Sequence, residues 1–260
     1  MRSSKVLAKI RAGKVARVCS FANFLPFVPK LAAHSGYDAV WVDAEHRAFD
    51  ARETQSLLAY HHLADVDCLW RPPTLEKTLL YRLLEDGAAG LMIPFVSTPE
   101  KARQLVQAVK FPPLGDRGLD GSGIDGNFYI NLPPTYPQDA NRETFLTVQI
   151  ETPEALDNVD AIAAVPGVDV LFLGPGDMSL RLGCSPSPND PKMMAAQKRI
   201  ADAAQKHGKA WGRPVGTAED AKVIVDIGAQ LVAYGSIHWA IVRHLQECQA
   251  HFDKLLGDSQ

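Results

Sequence analysis

The chain has no long apolar run: its longest stretch of hydrophobic residues, 161–165, spans five positions. A membrane-crossing helix needs roughly 20, so that class is excluded. Basic charge is not in excess either. Lys and Arg number 27 against 30 Asp and Glu, a net charge of −3 that leaves no surface for neutralising nucleic-acid phosphates. Cysteine is sparse: Cys19, Cys68, Cys184 and Cys248 stand far apart, with no C-x-x-C pair and no disulfide framework. That usage fits a reducing, cytoplasmic setting. The basic start, MRSSKVLAKIRAGK, is followed by a stretch broken by Arg17, Ser20, Asn23 and Pro26. No clean signal core is present there, and the segment reads as an amphipathic surface helix before the first strand.

Other absences narrow the chemistry. The turn after the first candidate strand is Ser20-Phe21-Ala22-Asn23, without a glycine, so the dinucleotide fingerprint is missing. No H-x-H, HExxH or cysteine pair offers a zinc site. No lysine lies inside a candidate strand near its C-terminal end, which disfavours Schiff-base chemistry; Lys209 precedes its strand. The expected partner is a small molecule.

What is present is a regular alternation of β-branched runs and helical patterns. Candidate strands fall at 15–20, 39–43, 67–70, 90–93, 145–150, 169–173, 210–212 and 231–234. Asp50-x-x-Glu53 and Ser97-x-x-Glu100 read as capping boxes opening helices. Ala102, Leu105, Val106 and Val109 then form a one-faced stripe, and one helix after Pro153 carries Ala155, Leu156, Val159, Ile162 and Ala163. Parallel neighbours need long crossovers, and 260 residues suit one closed barrel with a single large core. The expectation is an α/β fold, a (β/α)8 TIM barrel in one domain over 1–260. Only 111–142 breaks the rhythm; it reads as a long loop for a site or a subunit contact.

Barrel chemistry gathers at the C-terminal ends of the strands. Those ends carry Asp43-Ala44-Glu45-His46, Arg71, Gln149-x-Glu151 and Gly174-Pro175-Gly176-Asp177. Glu151 and Asp177 suit a hard divalent ion, Mg2+ or Mn2+, with positions left open for substrate. Each also reads as an ordinary helix-start residue. Gly176 lets a ligand approach a helix-opening backbone that favours anions. His46 is the natural general base, with Asp43 or Glu85 to orient it. Arg71 could hold a carboxylate or a developing oxyanion. His238 stays open, and the remaining histidines fall in helical stretches.

The stretches VWVDAEHRAFD, RPP, LLEDGAAGLMIPFV, FPPLGDRG, TVQIETPEALDNVDAI and VDVLFLGPGDMSLRLG resemble the class II pyruvate aldolases of the HpcH/HpaI type, over about 36–183 and more weakly to 235. The resemblance implies a (β/α)8 barrel, a homo-oligomer, usually a hexamer with exchanged C-terminal helices, and a divalent metal (Mg2+ or Mn2+, with Co2+ possible). It implies His46 as base, Arg71 as transition-state stabiliser, Glu151 and Asp177 as metal ligands, and Gln149, Gly176 and Asp177 as contacts of the pyruvyl unit. The family's aspartate that supports the histidine falls on Glu85, with Asp86 beside it. RGLDGSGIDGNF and GSIHW depart from the family pattern, so the aldehyde does not transfer. The implied reaction is cleavage of a 4-hydroxy-2-oxo acid to pyruvate and an aldehyde. Oxaloacetate decarboxylation, acyl-CoA cleavage and a non-catalytic ligand-binding barrel are the alternatives.

Overall fold

A computed structural model describes residues 1–257. Eight parallel strands close on themselves in sequence order. They are β1 (Ala16–Phe21), β2 (Ala39–Asp43), β3 (Asp67–Arg71), β4 (Gly90–Ile93), β5 (Phe145–Ile150), β6 (Val170–Leu173), β7 (Ala210–Pro214) and β8 (Leu231–Ser236). Helices alternate with them: α1 (Lys5–Arg11), α2 (Val28–His34), α3 (Ala51–Ala64), α4 (Lys77–Glu85), α5 (Pro99–Val109), α6 (Tyr136–Glu143), α7 (Pro153–Asp157), α8 (Val159–Ala163), α9 (Pro175–Leu182), α10 (Pro191–Lys206), α11 (Ala218–Asp226) and α12 (Ile237–Leu256). This is the expected (β/α)8 barrel.

Strand alternation sorts the core into two layers. Ala16 and Val18 of β1, with Val170 and Phe172 of β6, fill the barrel interior. Their neighbours Cys19, Phe21, Leu171 and Leu173 pack outward against the helices. With both faces covered, the strands read as the continuous apolar runs seen in the sequence.

Four local expectations are corrected. α1 is more than a surface helix: Val6 and Leu7 join the interior layer and close the N-terminal end of the barrel. Asp50 and Glu53 form the expected capping box, but α5 is capped by Thr98, whose hydroxyl accepts from the Lys101 amide, with Pro99 at the first helical position. Ser97 instead meets the Thr152 hydroxyl at 3.0 Å. The helix after Pro153 breaks at Asn158 into α7 and α8, because the Asn158 side chain is drawn to the Ser97 carbonyl at 2.8 Å. The 111–142 segment is ordered, containing a short 3-10 turn and α6 around a buried pair, Arg117 with Asp125 at 2.8 Å.

Asp67 fastens α1 to the barrel. Fully buried, it accepts from Ser4 Oγ at 2.6 Å and the Val6 amide at 2.9 Å, and it pairs with Arg2 at 2.7 Å. Asp67→Ala strips partners from a buried hydroxyl, an amide and a guanidinium together. The expected loss is about 3–5 kcal/mol, read from urea unfolding.

Candidate active site

The strand ends converge on Arg71. Its Nε donates to Asp43 Oδ1 at 2.9 Å, and its Nη2 lies 2.7 Å from Asp43 Oδ2. Nη1 pairs with Glu45 Oε2 at 3.0 Å and reaches Gln149 Oε1 at 3.3 Å. Beneath it the Trp41 ring centroid is 4.9 Å from the guanidinium carbon. Burial alone would raise the Asp43 carboxyl, but the hydrogen bond and charge of Arg71 outweigh it and hold Asp43 below its usual range. Asp43 also accepts from the Glu45 amide at 3.2 Å, fixing the loop that carries His46.

Gln149 carries the network onward, its Nε2 donating to Glu151 Oε2 at 3.1 Å. Glu151 is 3% exposed, and its Oε1 accepts the Phe95 amide at 2.7 Å. A side chain at residue 174 would collide with Glu151 Oε2, so Gly174 is what leaves room for this carboxylate. Burial pushes the Glu151 carboxyl up to about 7; the negative charges of Asp177 and Glu45 add to that, while the Phe95 amide and Arg71 oppose it.

Asp177 lies in the first turn of α9, its Oδ1 2.5 Å from Arg181 Nη1. α9 opens without a side-chain cap, and open space lies where a Cβ at Gly176 would stand. The amides of that first turn therefore face a region that an anionic group can enter.

His46 is exposed at the barrel mouth, with Nε2 3.6 Å from Glu45 Oε2. Of the two carboxylates expected to orient it, Asp43 lies beside it and Glu85 does not within one chain. Glu85 ends α4 in the outer ring of helices, and the charges bearing on it are Arg117, Asp125, Asp120 and Asp86. Asp86 takes a hydrogen bond from Gln55 at 3.2 Å. Within one chain two carboxylates bear on His46: Glu45, and Asp43, which is held by Arg71 and also feels the His46 charge. His238 is exposed at the start of α12.

Glu45 stood in the sequence as an acidic strand-end residue without a role. The Phe95 amide gave no signal at all, since a backbone donor is invisible in residue types. Among the described residues, no three His, Cys, Asp or Glu side chains converge tightly enough to cage an ion. A buried carboxylate raised by two acidic neighbours still fits a hard divalent cation, with Glu151 and Asp177 as its oxygen donors and several positions open.

A family model described as HpcH/HpaI aldolase/citrate lyase matches residues 24–241. The chain is 35% identical to a 5-keto-4-deoxy-D-glucarate aldolase of Klebsiella pneumoniae over 219 residues, 84% of each chain. It is 37% identical over 234 residues to a hydroxypyruvate/pyruvate aldolase of Deinococcus radiodurans, covering 87% of this chain and 82% of that one. The crystal structure of an HpcH/HpaI aldolase from Desulfitobacterium hafniense superposes with a TM-score of 0.84 at 31% identity, covering 97% and 96% of the two chains.

A buried carboxyl whose folded pKa is above its unfolded value costs stability once it is ionised in both states. For Glu151 that cost is absent below about pH 4.5, grows as pH rises, and is complete above about 7. In cation-free buffer Glu151→Gln should therefore melt about 5 °C above the parent at pH 8 and level with it at pH 4.5. Added Mn2+ should raise the melting temperature of the parent at pH 8 and leave that of the variant where it is.

Proposed function

The chain belongs to the HpcH/HpaI aldolase/citrate lyase family, and from that premise we propose that it is a class II aldolase, reversibly cleaving a 4-hydroxy-2-oxo acid to pyruvate and an aldehyde. The observation that carries this reading is the continuous line Asp43–Arg71–Gln149–Glu151 across the barrel mouth, beside the uncapped start of α9. Glu151 and Asp177 would hold the divalent cation, Mg2+ or Mn2+, with Co2+ also compatible with the donors. When bound, that ion supplies Lewis-acid stabilisation for the charge that develops on the keto oxygen.

The protein's own groups do the rest. Gln149 and the amides of Gly176 and Asp177 bind the pyruvyl end. His46 takes the C4 hydroxyl proton as the carbon–carbon bond parts and returns it in the synthetic direction. Glu45 stabilises the imidazolium so formed. Arg71, fixed by Asp43 and Glu45 and resting on Trp41, offsets negative charge in the transition state without having to reorganise.

The same reading includes a homo-oligomer that exchanges its C-terminal helices, six copies by resemblance. α12 has no fully buried residue, and only Ile237 at its start packs against the core of its own barrel. Ile241, Leu245, Cys248 and Phe252 recur along it as an apolar stripe. Beside β1 and β8 there is meanwhile a cavity of about 340 Å3, lined by Val15, Arg17, Tyr37, Val225, Val232 and Tyr234. A second copy's α12 fits that groove as the missing eighth helix. No described helix is long and apolar enough to cross a membrane, and the four cysteines are unpaired. Both observations support a cytoplasmic setting.

Pyruvate in D2O with Mn2+ tests the reaction. The parent should exchange the methyl protons, and chelation or Glu151→Ala should abolish exchange; exchange that survives both would remove the assignment. His46→Ala should lower aldol cleavage by about 10²–10⁴-fold. Leu245→Asp with Phe252→Asp should reduce the mass seen by light scattering, whereas an unchanged mass would exclude α12 as the joint.

A further inference from the structure

The turn after β4 is built toward Glu151. Phe95 has φ of 52°, in the left-handed region that a residue with a Cβ adopts at a cost. That conformation aims its amide at Glu151 Oε1, 2.7 Å away. The carbonyls on either side of the strained bond are taken by one group: Lys101 Nζ donates to Phe95 O at 2.9 Å and to Pro94 O at 3.2 Å. On the ring side, Arg181 sits 5.4 Å from the Phe95 centroid while holding Asp177.

Lys101 is an unusual use of an ammonium. It is partly buried, and burial lowers its pKa while Glu151 and Glu45 pull the other way. Its charge is near both carboxylates, yet among the described residues it makes no ion pair and spends its hydrogen bonds on backbone carbonyls.

We propose that Lys101 is a positioning residue for the cation site, locking the Pro94–Phe95 turn so that the Phe95 amide holds Glu151 ready to bind the ion. This rests on the reading of Glu151 and Asp177 as the cation's donors. Two effects of removing Lys101 have opposite signs. Electrostatics alone makes the carboxylates more attractive to a cation once a neighbouring positive charge is gone. Positioning makes binding weaker, because Phe95 leaves the strained conformation and Glu151 loses its fixed donor.

Mn2+ affinity, measured by calorimetry on folded protein checked by thermal melting, separates them. Lys101→Met should weaken binding about tenfold, the scale on which groups supporting metal ligands act. Lys101→Arg, which keeps a donor at the carbonyls, should stay within about threefold of the parent. Phe95→Gly in the Lys101→Met background should recover most of the loss, since glycine enters the left-handed region without strain. Unchanged or tighter binding by Lys101→Met overturns the proposal, as does a Phe95→Gly double variant that recovers nothing. A parent that binds no Mn2+ at a single saturable site removes the reading of the carboxylates, and this proposal with it.

Discussion

A carboxylate buried among other carboxylates is the constraint around which the mouth of this barrel is arranged. Glu151 is 3% exposed, with Asp177 and Glu45 close enough to disfavour its charge. Nothing in an apolar core demands such a residue, and burying an acid without a cation is costly. The surrounding structure answers in pieces that are individually small. A glycine at 174 clears space, the Phe95 amide and the Gln149 side chain each donate, and Arg71 stands one link further along. Each piece comes from a different strand end, so closing the barrel is what assembles them.

Much of this was legible in the residues. The eight strands were read within two residues at each end, because a sheet covered on both faces must be apolar throughout and cannot hide as a polar loop. Asp43, Arg71, Gln149, Glu151 and Asp177 were legible for a related reason: charged and amide groups at the ends of such strands have no packing role. What stayed hidden depended on directions. Ser97 and Thr98 are both competent caps, and only the turn geometry gave Ser97 to Thr152. Asn158 looks like any helix surface residue until the Ser97 carbonyl claims it. Glu85 matched by position, and its surroundings within one chain, the charges of Arg117 and Asp125, are set by how 111–142 folds. The Phe95 amide could not be read from residue types at all.

The fate of α12 follows from the same logic at larger scale. A (β/α)8 barrel needs a helix over the seam between β8 and β1, and here the chain's last helix leaves that seam bare while exposing its own apolar stripe. In the proposed oligomer a second copy would cover both surfaces without any new sequence feature. The departure GSIHW sits where β8 turns into α12, so the junction that sends the helix outward also borders the mouth.

Charge balance then connects the site to the kind of molecule it receives. Four carboxylates, Asp43, Glu45, Glu151 and Asp177, stand against three cations, Arg71, Lys101 and Arg181, a formal excess of one negative charge. With Glu151 up to about 7, that excess is partly met by a proton near neutrality. In the proposed function a divalent ion would replace the proton and turn the balance to one positive charge, which a 2-oxo acid carrying a single carboxylate would neutralise. On that reading ion and substrate would depend on each other: without the ion the formal excess of negative charge disfavours an anion, and with it the anion would complete the balance. A neutral carbonyl compound gains no such advantage, so the electrostatics of the mouth favour the acid end of the substrate before any contact with the aldehyde end is considered.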